Sequence, residues 1–145
     1  MNKLETLSET EAIIGNTDRI DLIIVRLPFV KPFATSTYTW NVKEALLVKI
    51  SAGDCTGWGE CVADPDPFYS PETTVSARYI IKDFLIPGIE GGVTLAEVEK
   101  RFQQVRGNSM AKAAVENALI DLLAKQNNVP LHQFLGFPAR KIMSG

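Results

Sequence analysis

The stretch from Met110 to Gly136 constrains the fold of this chain most strongly, because its first part is apolar around nearly the whole circumference of a helix. Its charged residues form one thin stripe that holds two i,i+4 pairs, each worth a few tenths of a kcal/mol. One ridge of the helix consists mainly of small residues, which lets another backbone approach closely. The stripe is Lys112, Glu116, Asp121 and Lys125, and the ridge is Ala111, Ala114, Ala118 and Leu122. A helix apolar on most sides is packed against several neighbours, so the sequence predicts a buried central helix.

Local signals mark the end of this helix and a short helix after it. Asn127-Asn128 ends the central helix, and Pro130 stands at the first position of the next one, which Gly136 ends. The last seven residues, 139–145, turn strand-like.

Three segments near the start of the chain have strand character. The first begins after Asp18 and ends at Pro28, the second is 42–51, and the third is 55–62. A turn at Gly53-Asp54 joins the last two as an antiparallel hairpin. Gly57 and Gly59, on either side of Trp58, indicate a close backbone approach or a bulge. Residues 30–41 have two prolines nearby, Pro28 and Pro32, and contain several hydroxyl side chains, and we expect a long exposed loop there.

Two helices are predicted between the strands and the central helix. Ser70 as cap, Pro71 at the first helical position and Glu72 near the positive end of the dipole open the first. Its apolar residues at helical spacing are Val75, Tyr79, Ile80 and Phe84, and it runs to Pro87-Gly88. A capping box formed by Thr94 and Glu97 opens the second, which ends at Gly107. Its apolar face is Leu95, Val98, Phe102 and Val105.

Strands followed by a run of helices predict an α+β fold, here a three-stranded antiparallel meander followed by a bundle of three to four helices. A length of 145 residues fits one domain with a core of its own. We expect residues 1–17 to be a loosely attached extension and residues 18–138 to form the domain.

Composition excludes several classes of partner. The net charge of −2 gives no reason to expect nucleic acid, and no apolar run approaches the length that spans a bilayer. The N-terminus is too polar for a signal peptide, so we expect a cytoplasmic protein. Cys55 and Cys61 are accordingly expected to be reduced thiols rather than a disulfide.

No catalytic constellation stands out among these residues. His132 is the only histidine and is expected to be packed or at the surface. Asp64 and Asp66, on either side of a proline, could attract a hard cation, but two acids on such a loop are more often solvated. Glu60 ends the third strand, where a buried acid accepting backbone N–H groups is favoured over a general base. The residues by themselves do not disclose an active site.

The central helix carries a family resemblance. Residues 111–136 resemble the helical signature of the mandelate racemase/muconate lactonizing group of the enolase superfamily. They read A-x-A-A-V-E-x-A-L-x-D-L-x-A-K, then four further residues, then P-L-x-x-F-L-G. Phe134 and Ile120 depart from it, at positions where that group usually has leucine and often tryptophan. The string G-W-G-E-C-V-A and the following P-F-Y-S resemble most the branch of o-succinylbenzoate synthases and N-succinylamino acid racemases.

The resemblance implies an N-terminal capping domain, with residues 139–145 beginning the linker to a (β/α)-barrel that lies outside this sequence. In the family a lysine removes a proton alpha to a carboxylate, and Mg²⁺ held by three acids stabilises the enediolate. In a synthase the intermediate then loses hydroxide, on the route to menaquinone. All these groups belong to the barrel. We therefore expect no catalytic residue, metal or cofactor in this chain, and no activity from the chain alone.

What the resemblance assigns to this domain is two loops that close over the barrel mouth and select the substrate, a small carboxylate. The substrate-binding candidates are Phe33, Ser36, Thr37 and Tyr38 in the loop 31–40, and Asp64, Phe68 and Tyr69 in the loop 64–70. Aromatic and hydroxyl groups on proline-anchored loops also suit a ligand lid on physical grounds. Phe33 and Phe68 could instead fill the end of the sheet, and the acidic Asp64 would repel an anionic substrate.

Three functions are consistent with the sequence. The first is the substrate-specificity cap of an o-succinylbenzoate synthase, and the second is the cap of an N-succinylamino acid racemase or dipeptide epimerase, which share the proton-abstraction step. The third is a stand-alone, non-catalytic domain that covers its apolar face by self-association. Homo-oligomerisation is left open by all three.

Overall fold

The structure, a computed structural model, describes residues 14–36, 38–89, 92–141 and 143. It is an antiparallel meander of three strands, in the order β1-β2-β3, with helices packed on one face. The strands are β1 (Arg19–Ala34), β2 (Thr39–Ala52) and β3 (Cys55–Cys61). The helices are α1 (Thr74–Ile80), α2 (Leu95–Phe102), α3 (Ser109–Gln126) and α4 (Leu131–Phe134). The predicted α+β class and the order of strands before helices are confirmed. In the described ranges, no helix has the length and apolar character needed to cross a bilayer.

The first hairpin is longer than predicted. β1 continues through Pro28 and Pro32 to Ala34, and β2 begins at Thr39, so most of the expected long loop is strand, in which Phe33 and Ala34 pair with Trp40 and Thr39. The register shifts between Pro28 and Phe33, where a bulge interrupts the ladder. Proline is tolerated there because β1 is an edge strand whose outer N–H groups have no strand partner. The prediction of an irregular loop was wrong, and the connection at the hairpin tip is residues 35–38 alone.

The central helix α3 lies against the sheet along its small-residue ridge, as predicted. Ala111, Ala114 and Ala118 are fully buried. A Cβ atom built on Gly59 would lie 1.9 Å from the carbonyl oxygen of Ala114, and one on Gly57 would lie 2.0 Å from that of Ala118. The two glycines of β3 and the alanines of α3 therefore bring strand and helix backbones into direct contact.

The polar stripe of α3 has a function that its sequence did not disclose. Asp121 Oδ2 accepts the backbone N–H of Trp58 at 2.9 Å, and Lys125 Nζ donates to the carbonyl oxygen of Thr56 at 2.8 Å. The predicted pair between Lys125 and Asp121 is also formed, at 2.6 Å. These side chains satisfy the outer backbone groups of β3, the second edge of the sheet. An edge strand covered in this way is protected against pairing with another chain.

The first helix differs from its prediction in cap and in buried face. Its cap is Thr73, which forms a capping box with Ser76, rather than Ser70. Beyond Ile80 the helix continues as a π-helical turn, Ile81–Leu85, and a 3₁₀ turn, Ile86–Gly88. The buried residues are Thr74, Ala77, Ile81 and Leu85, whereas Val75, Tyr79 and Phe84 are exposed. Three of the four apolar residues predicted to share a face therefore point outward, and the fourth, Ile80, is partly buried against the core.

The remaining helices follow the prediction more closely. Thr94 and Glu97 form the capping box of α2, and Val98 and Phe102 are buried, although the α-helix ends at Phe102 instead of near Gly107. Pro130 is the cap residue of α4 rather than its first helical residue.

The two ends of the chain are only partly described. Ile14, in the segment expected to be loosely attached, is fully buried and exchanges two backbone hydrogen bonds of 2.8 Å with Gly92 and Val93. Residues 1–13 lie outside the described residues. At the other end, residues 139–141 and 143 have no regular secondary structure, which contradicts the strand-like prediction for the described part of 139–145.

Candidate functional site: an aromatic cavity at the hairpin tip

An open cavity of about 1020 Å³ lies between the tip of the β1–β2 hairpin and the loop 64–70. The start of β2 forms one wall, and Met110, at the first turn of α3, also contributes to the lining. Its size is at the upper end of the range typical of small-molecule sites. The lining residues are Phe29, Phe33, Thr35, Tyr38, Trp40, Val42, Lys43, Glu44, Val62, Asp64, Pro65, Asp66, Phe68, Tyr69 and Met110.

A chain of aromatic rings joins the two sides of the cavity. Phe29, Phe33 and Trp40 follow one another along the hairpin, with ring centroids 6.3 and 5.8 Å apart. Tyr38 lies 4.8 Å from Trp40 on the hairpin and 5.7 Å from Phe68 on the loop 64–70. Tilted rings at these separations attract one another beyond their buried area. The hairpin tip and the loop are therefore held together through Tyr38.

A hydrogen bond reinforces this junction. The Tyr38 hydroxyl donates to Asp66 Oδ2 at 3.0 Å. This hydrogen bond to Asp66, together with desolvation and the charges of Asp66 and Asp64, raises the pKa of Tyr38 above its usual value of 10.0. At the base of the tip, Tyr38 N donates to Thr35 Oγ1 and Thr35 N donates to the carbonyl oxygen of Tyr38. The turn that carries Tyr38 is thus closed by its own hydrogen bonds.

Three of the charged side chains that line the cavity, Lys43, Asp64 and Glu44, take part in ion pairs. Lys43 is the one basic side chain among the described residues that line it, and its Nζ lies 3.9 Å from Asp64 Oδ1. Glu44 is paired outside the cavity with Arg26, at 2.7 Å. The cavity therefore presents mainly aromatic surface, with polar groups, including the hydrogen-bonded Asp66, at its margin.

The loop 64–70 is closed at its base by Thr74. Thr74 N donates to the carbonyl oxygen of Asp64 at 2.9 Å, and the buried Thr74 hydroxyl donates to that of Ala63 at 3.1 Å. Two residues earlier, the Glu72 carboxylate accepts the backbone N–H groups of Met110 and Ala111 at 3.0 and 2.9 Å. Glu72, expected to stabilise the helix that it precedes, therefore caps α3 instead.

Five of the predicted substrate-binding residues line this cavity: Phe33, Tyr38, Asp64, Phe68 and Tyr69. Ser36 is exposed at the tip and is not part of the lining, and Thr37 lies outside the described residues. Phe33 and Phe68 are 56% and 77% exposed, so they do not fill the end of the sheet as core residues would.

Other lining residues escaped the sequence analysis. Lys43 and Glu44 were missed because the loop and the second strand were divided at the wrong residue, whereas Trp40 stood in the predicted loop 31–40 but was not chosen as a candidate. Met110 was missed because it lies in the apolar start of the central helix. The extended pairing of residues 39–44 could have been recognised from the strand propensities of Thr39 and Trp40.

Three further candidates are placed by the structure. Glu60 is exposed, so the prediction of a buried acid was wrong, because alternation along β3 turns it away from the helices. His132 is exposed, in agreement with the surface alternative. Cys55 and Cys61 are free cysteines, as expected. Among the described residues, no three His, Cys, Asp or Glu side chains are gathered to hold a metal ion, so these residues do not fit the Mg²⁺ that the family resemblance implies.

Comparison with known proteins agrees with the fold. Residues 19–136 match the family described as mandelate racemase / muconate lactonizing enzyme, N-terminal domain. The chain is 39% identical to the o-succinylbenzoate synthase of Geobacillus stearothermophilus, over 90% of this chain and 36% of that protein. It is 36% identical to the N-succinylamino acid racemase of an Amycolatopsis species, over 70% of this chain and 28% of that protein.

A solved structure shows the same architecture. A member of the enolase superfamily from Enterococcus faecalis V583 superposes with a TM-score of 0.77 and 38% identity, over 88% of this chain and 35% of that one. The chain therefore spans about a third of the length of the relatives that it matches. With residues 19–136 matched and the capping fold present, this chain belongs to the mandelate racemase/muconate lactonizing enzyme N-terminal domain family of the enolase superfamily.

Proposed function

We propose that this chain is the substrate-specificity capping domain of an o-succinylbenzoate synthase, and that it is inactive by itself. The observation that carries the proposal is the cavity between the hairpin tip and the loop 64–70, in a chain 39% identical to a synthase over 36% of that enzyme's length. Proton abstraction, the lysine base and Mg²⁺ would belong to a C-terminal barrel of the same polypeptide, in a cytoplasmic enzyme of menaquinone biosynthesis.

The residues of this chain would bind and enclose the substrate rather than react with it. The aromatic rings of Phe33, Tyr38 and Phe68 would pack against the carbon skeleton of a small carboxylate and exclude water from the barrel mouth. Lys43 Nζ lies 3.9 Å from Asp64 Oδ1, and its positive charge would reduce the repulsion that an isolated acid would exert on an anionic substrate. The selectivity of this domain would therefore come from shape and from hydrogen bonds at the cavity margin.

A racemase or epimerase cap is the second candidate, and the 36% identity to an N-succinylamino acid racemase favours it. The cavity does not separate the two, because both reactions begin with loss of a proton alpha to a carboxylate. The third candidate, a stand-alone domain that associates with itself, is favoured by the exposure of Phe33 and Phe68.

The experiment starts with the complete polypeptide read from the native coding frame, purified and assayed in parallel with the 145-residue chain. Formation of o-succinylbenzoate and racemisation of N-succinylamino acids are both measured. We expect the complete polypeptide to form o-succinylbenzoate with Mg²⁺ and the 145-residue chain to form none. A native polypeptide that ends at Gly145 and sediments as an oligomer would refute the proposal and favour the third candidate.

Variants of the cavity test the assignment of specificity. Tyr38→Phe and Tyr69→Phe are expected to change the ratio of the two activities. The melting temperature should be unchanged in Tyr69→Phe and slightly lower in Tyr38→Phe, which loses the hydrogen bond to Asp66. Tyr79→Phe is the matched control, because Tyr79 is also exposed but lies on α1, outside the cavity lining. Cavity variants whose activity ratios equal that of Tyr79→Phe would contradict the role given to this site.

A further inference from the structure

The start of the central helix α3 lacks a cap from its own flanking residues. Asn108, at the cap position, has a left-handed backbone with φ of 55°, and its side chain makes no capping hydrogen bond. Its amide donates instead to the carbonyl oxygen of Arg106. The first N–H groups of a helix need acceptors from elsewhere when no local side chain provides them. In this chain the acceptors come from a residue 38 positions earlier.

That residue is Glu72, whose side chain is almost completely enclosed. It is 8% exposed, and its two carboxylate oxygens accept separate bonds, Oε2 from Met110 N and Oε1 from Ala111 N. A carboxylate at the positive end of a helix forms strong hydrogen bonds, because charge and dipole act together. The geometry fixes the distance between the segment 70–73 and the first turn of α3.

The hydrogen bonds between Glu72 and the first turn of α3 connect two segments that both reach the cavity. On one side, Met110 is a lining residue as well as a donor to Glu72. On the other side, Glu72 is two residues from Thr74, whose hydrogen bonds close the base of the loop 64–70. The backbone N–H of Glu72 also donates to Ser70 Oγ, at the end of that loop. One side chain thus joins two walls of the cavity that are distant in sequence.

We propose that Glu72 is a positioning residue that sets the width of the cavity by holding the loop 64–70 at a fixed distance from Met110. It does not touch the cavity, and it acts through the segment 70–74 and through the first turn of α3. Its effect on substrate selection rests on the function proposed above, whereas its effect on cavity geometry does not.

The test compares the variants Glu72→Gln and Glu97→Gln of the whole 145-residue chain. Glu97 is the matched control because its carboxylate also accepts a helix-capping backbone N–H, that of Thr94 at 2.8 Å, and α2 contributes no lining residue. Amide hydrogen exchange is measured at Met110, Ala111 and Thr74. For Glu72→Gln we expect exchange roughly tenfold faster or more at all three amides, as loss of hydrogen bonds to a charged acceptor implies. For Glu97→Gln we expect faster exchange at the Thr94 amide and wild-type exchange at the other three.

A purely structural cap would give a different pattern. Faster exchange at Met110 and Ala111 with wild-type exchange at Thr74 would show that Glu72 stabilises α3 without holding the loop, and would overturn the proposal. Should Glu72→Gln fail to fold, Glu72→Asp retains the charge with a side chain shorter by one methylene. The Glu72→Asp variant is then compared with Glu97→Asp. The proposal expects faster exchange at the Thr74 amide in Glu72→Asp and wild-type exchange there in Glu97→Asp.

Kinetics of the complete polypeptide provide the functional readout. We expect Glu72→Gln to raise KM roughly fivefold or more with little change in kcat, because it alters binding geometry and not the reacting groups. An unchanged KM beside altered exchange at Thr74 would refute the link to substrate selection. Absence of all activity in the wild-type complete polypeptide would refute the proposed function alone, since the exchange experiment needs no substrate.

Discussion

Replacing Gly59 with alanine tests the close approach of the β3 and α3 backbones. Gly59 lies on β3 beneath α3, and an added Cβ would lie 1.9 Å from the carbonyl oxygen of Ala114 and 2.9 Å from the backbone nitrogen of Ala118. Both are backbone atoms, so no change of rotamer can relieve the overlap. The strand and the helix must move apart.

The size of that movement follows from the distances. A Cβ contact essentially never falls below 3.0 Å, so the gap must widen from 1.9 Å by at least 1.1 Å. Opening a packed interface by 0.5–1 Å already forfeits about a quarter to a half of the dispersion attraction across it. Overpacking usually costs about 1–3 kcal/mol and sometimes more. We expect Gly59→Ala to lie at or above the upper end, about 3 kcal/mol.

The assay is thermal and urea unfolding of the chain, followed by circular dichroism. For a domain of this size, 3 kcal/mol corresponds to a fall in melting temperature on the order of 10 °C. Gly15→Ala is the matched control, because a Cβ at Gly15 would meet nothing within 4 Å. That substitution should be neutral or stabilise slightly, by up to about 1 kcal/mol, through the unfolded state.

A double variant sharpens the test. Adding Ala114→Gly to Gly59→Ala removes a side chain from the contact but leaves the carbonyl oxygen that the new Cβ would meet, so no recovery of stability is expected. The reasoning is refuted if Gly59→Ala melts within 2 °C of Gly15→Ala. Full rescue by Ala114→Gly would refute the identification of the backbone as the obstacle.

Three further predictions concern the core, a buried acid and the hairpin tip. Ala118→Leu should overpack the ridge of α3 and cost about 1–3 kcal/mol, and an unchanged melting temperature would place that ridge outside the core. Burial, followed by the charge of Glu99, raises the pKa of Glu116 above 4.5, so ionisation of Glu116 opposes folding once the pH exceeds 4.5. Glu116→Gln should therefore raise the melting temperature at pH 7 and have no effect below pH 4, and destabilisation at pH 7 would contradict this sign. The raised pKa of Tyr38 means that its bond to Asp66 stabilises the fold at neutral pH and is lost as the pH rises through that pKa. The pKa of Tyr38 can be followed by tyrosinate absorbance, and its signal is the one lost in Tyr38→Phe. Asp66→Asn should lower that pKa towards 10.0, and an unchanged pKa would refute the role given to Asp66.

The parts of the fold that sequence reasoning found are those with a local or periodic signal. The central helix was found because its pattern extends over 18 residues, and its ridge of Ala114 and Ala118 implied a backbone neighbour. Gly57 and Gly59 supplied that neighbour. The capping box of Thr94 was found because its two partners are three residues apart.

The first helix shows why periodicity can mislead. Val75, Tyr79, Ile80 and Phe84 were predicted to form its apolar face. Of these, Ile80 alone packs against the core, whereas Thr74 and Ala77 are fully buried. Spacing shows that apolar residues share a face and not which face the sheet covers. Tyr79 and Phe84 instead pack edge to face with each other, at 5.5 Å, across the start of the π-helical turn, which changes the phase of the helix.

The cavity was found only in part, because its supports are distant in sequence. Five predicted residues line it, but Lys43 was hidden by the strand boundary and Met110 by its apolar neighbours, and Trp40 was passed over within the predicted loop. No pattern within the segment 70–73 indicates that Glu72 caps a helix 38 residues later. Such a contact exists only after the sheet has brought the two segments together.

The contact of α3 with β3 also determines when this domain can fold. The glycines of β3 meet alanines that follow them by more than fifty residues, so the sheet cannot cover its apolar face from local sequence. Contacts of this range close late, since the entropy of the intervening chain must be lost first. On the ribosome the meander would emerge complete while Leu119 and Leu122 were still unsynthesised. The nascent sheet would then expose Val48 and Ile50 until the central helix arrived, which is the interval in which a chaperone would have its binding surface.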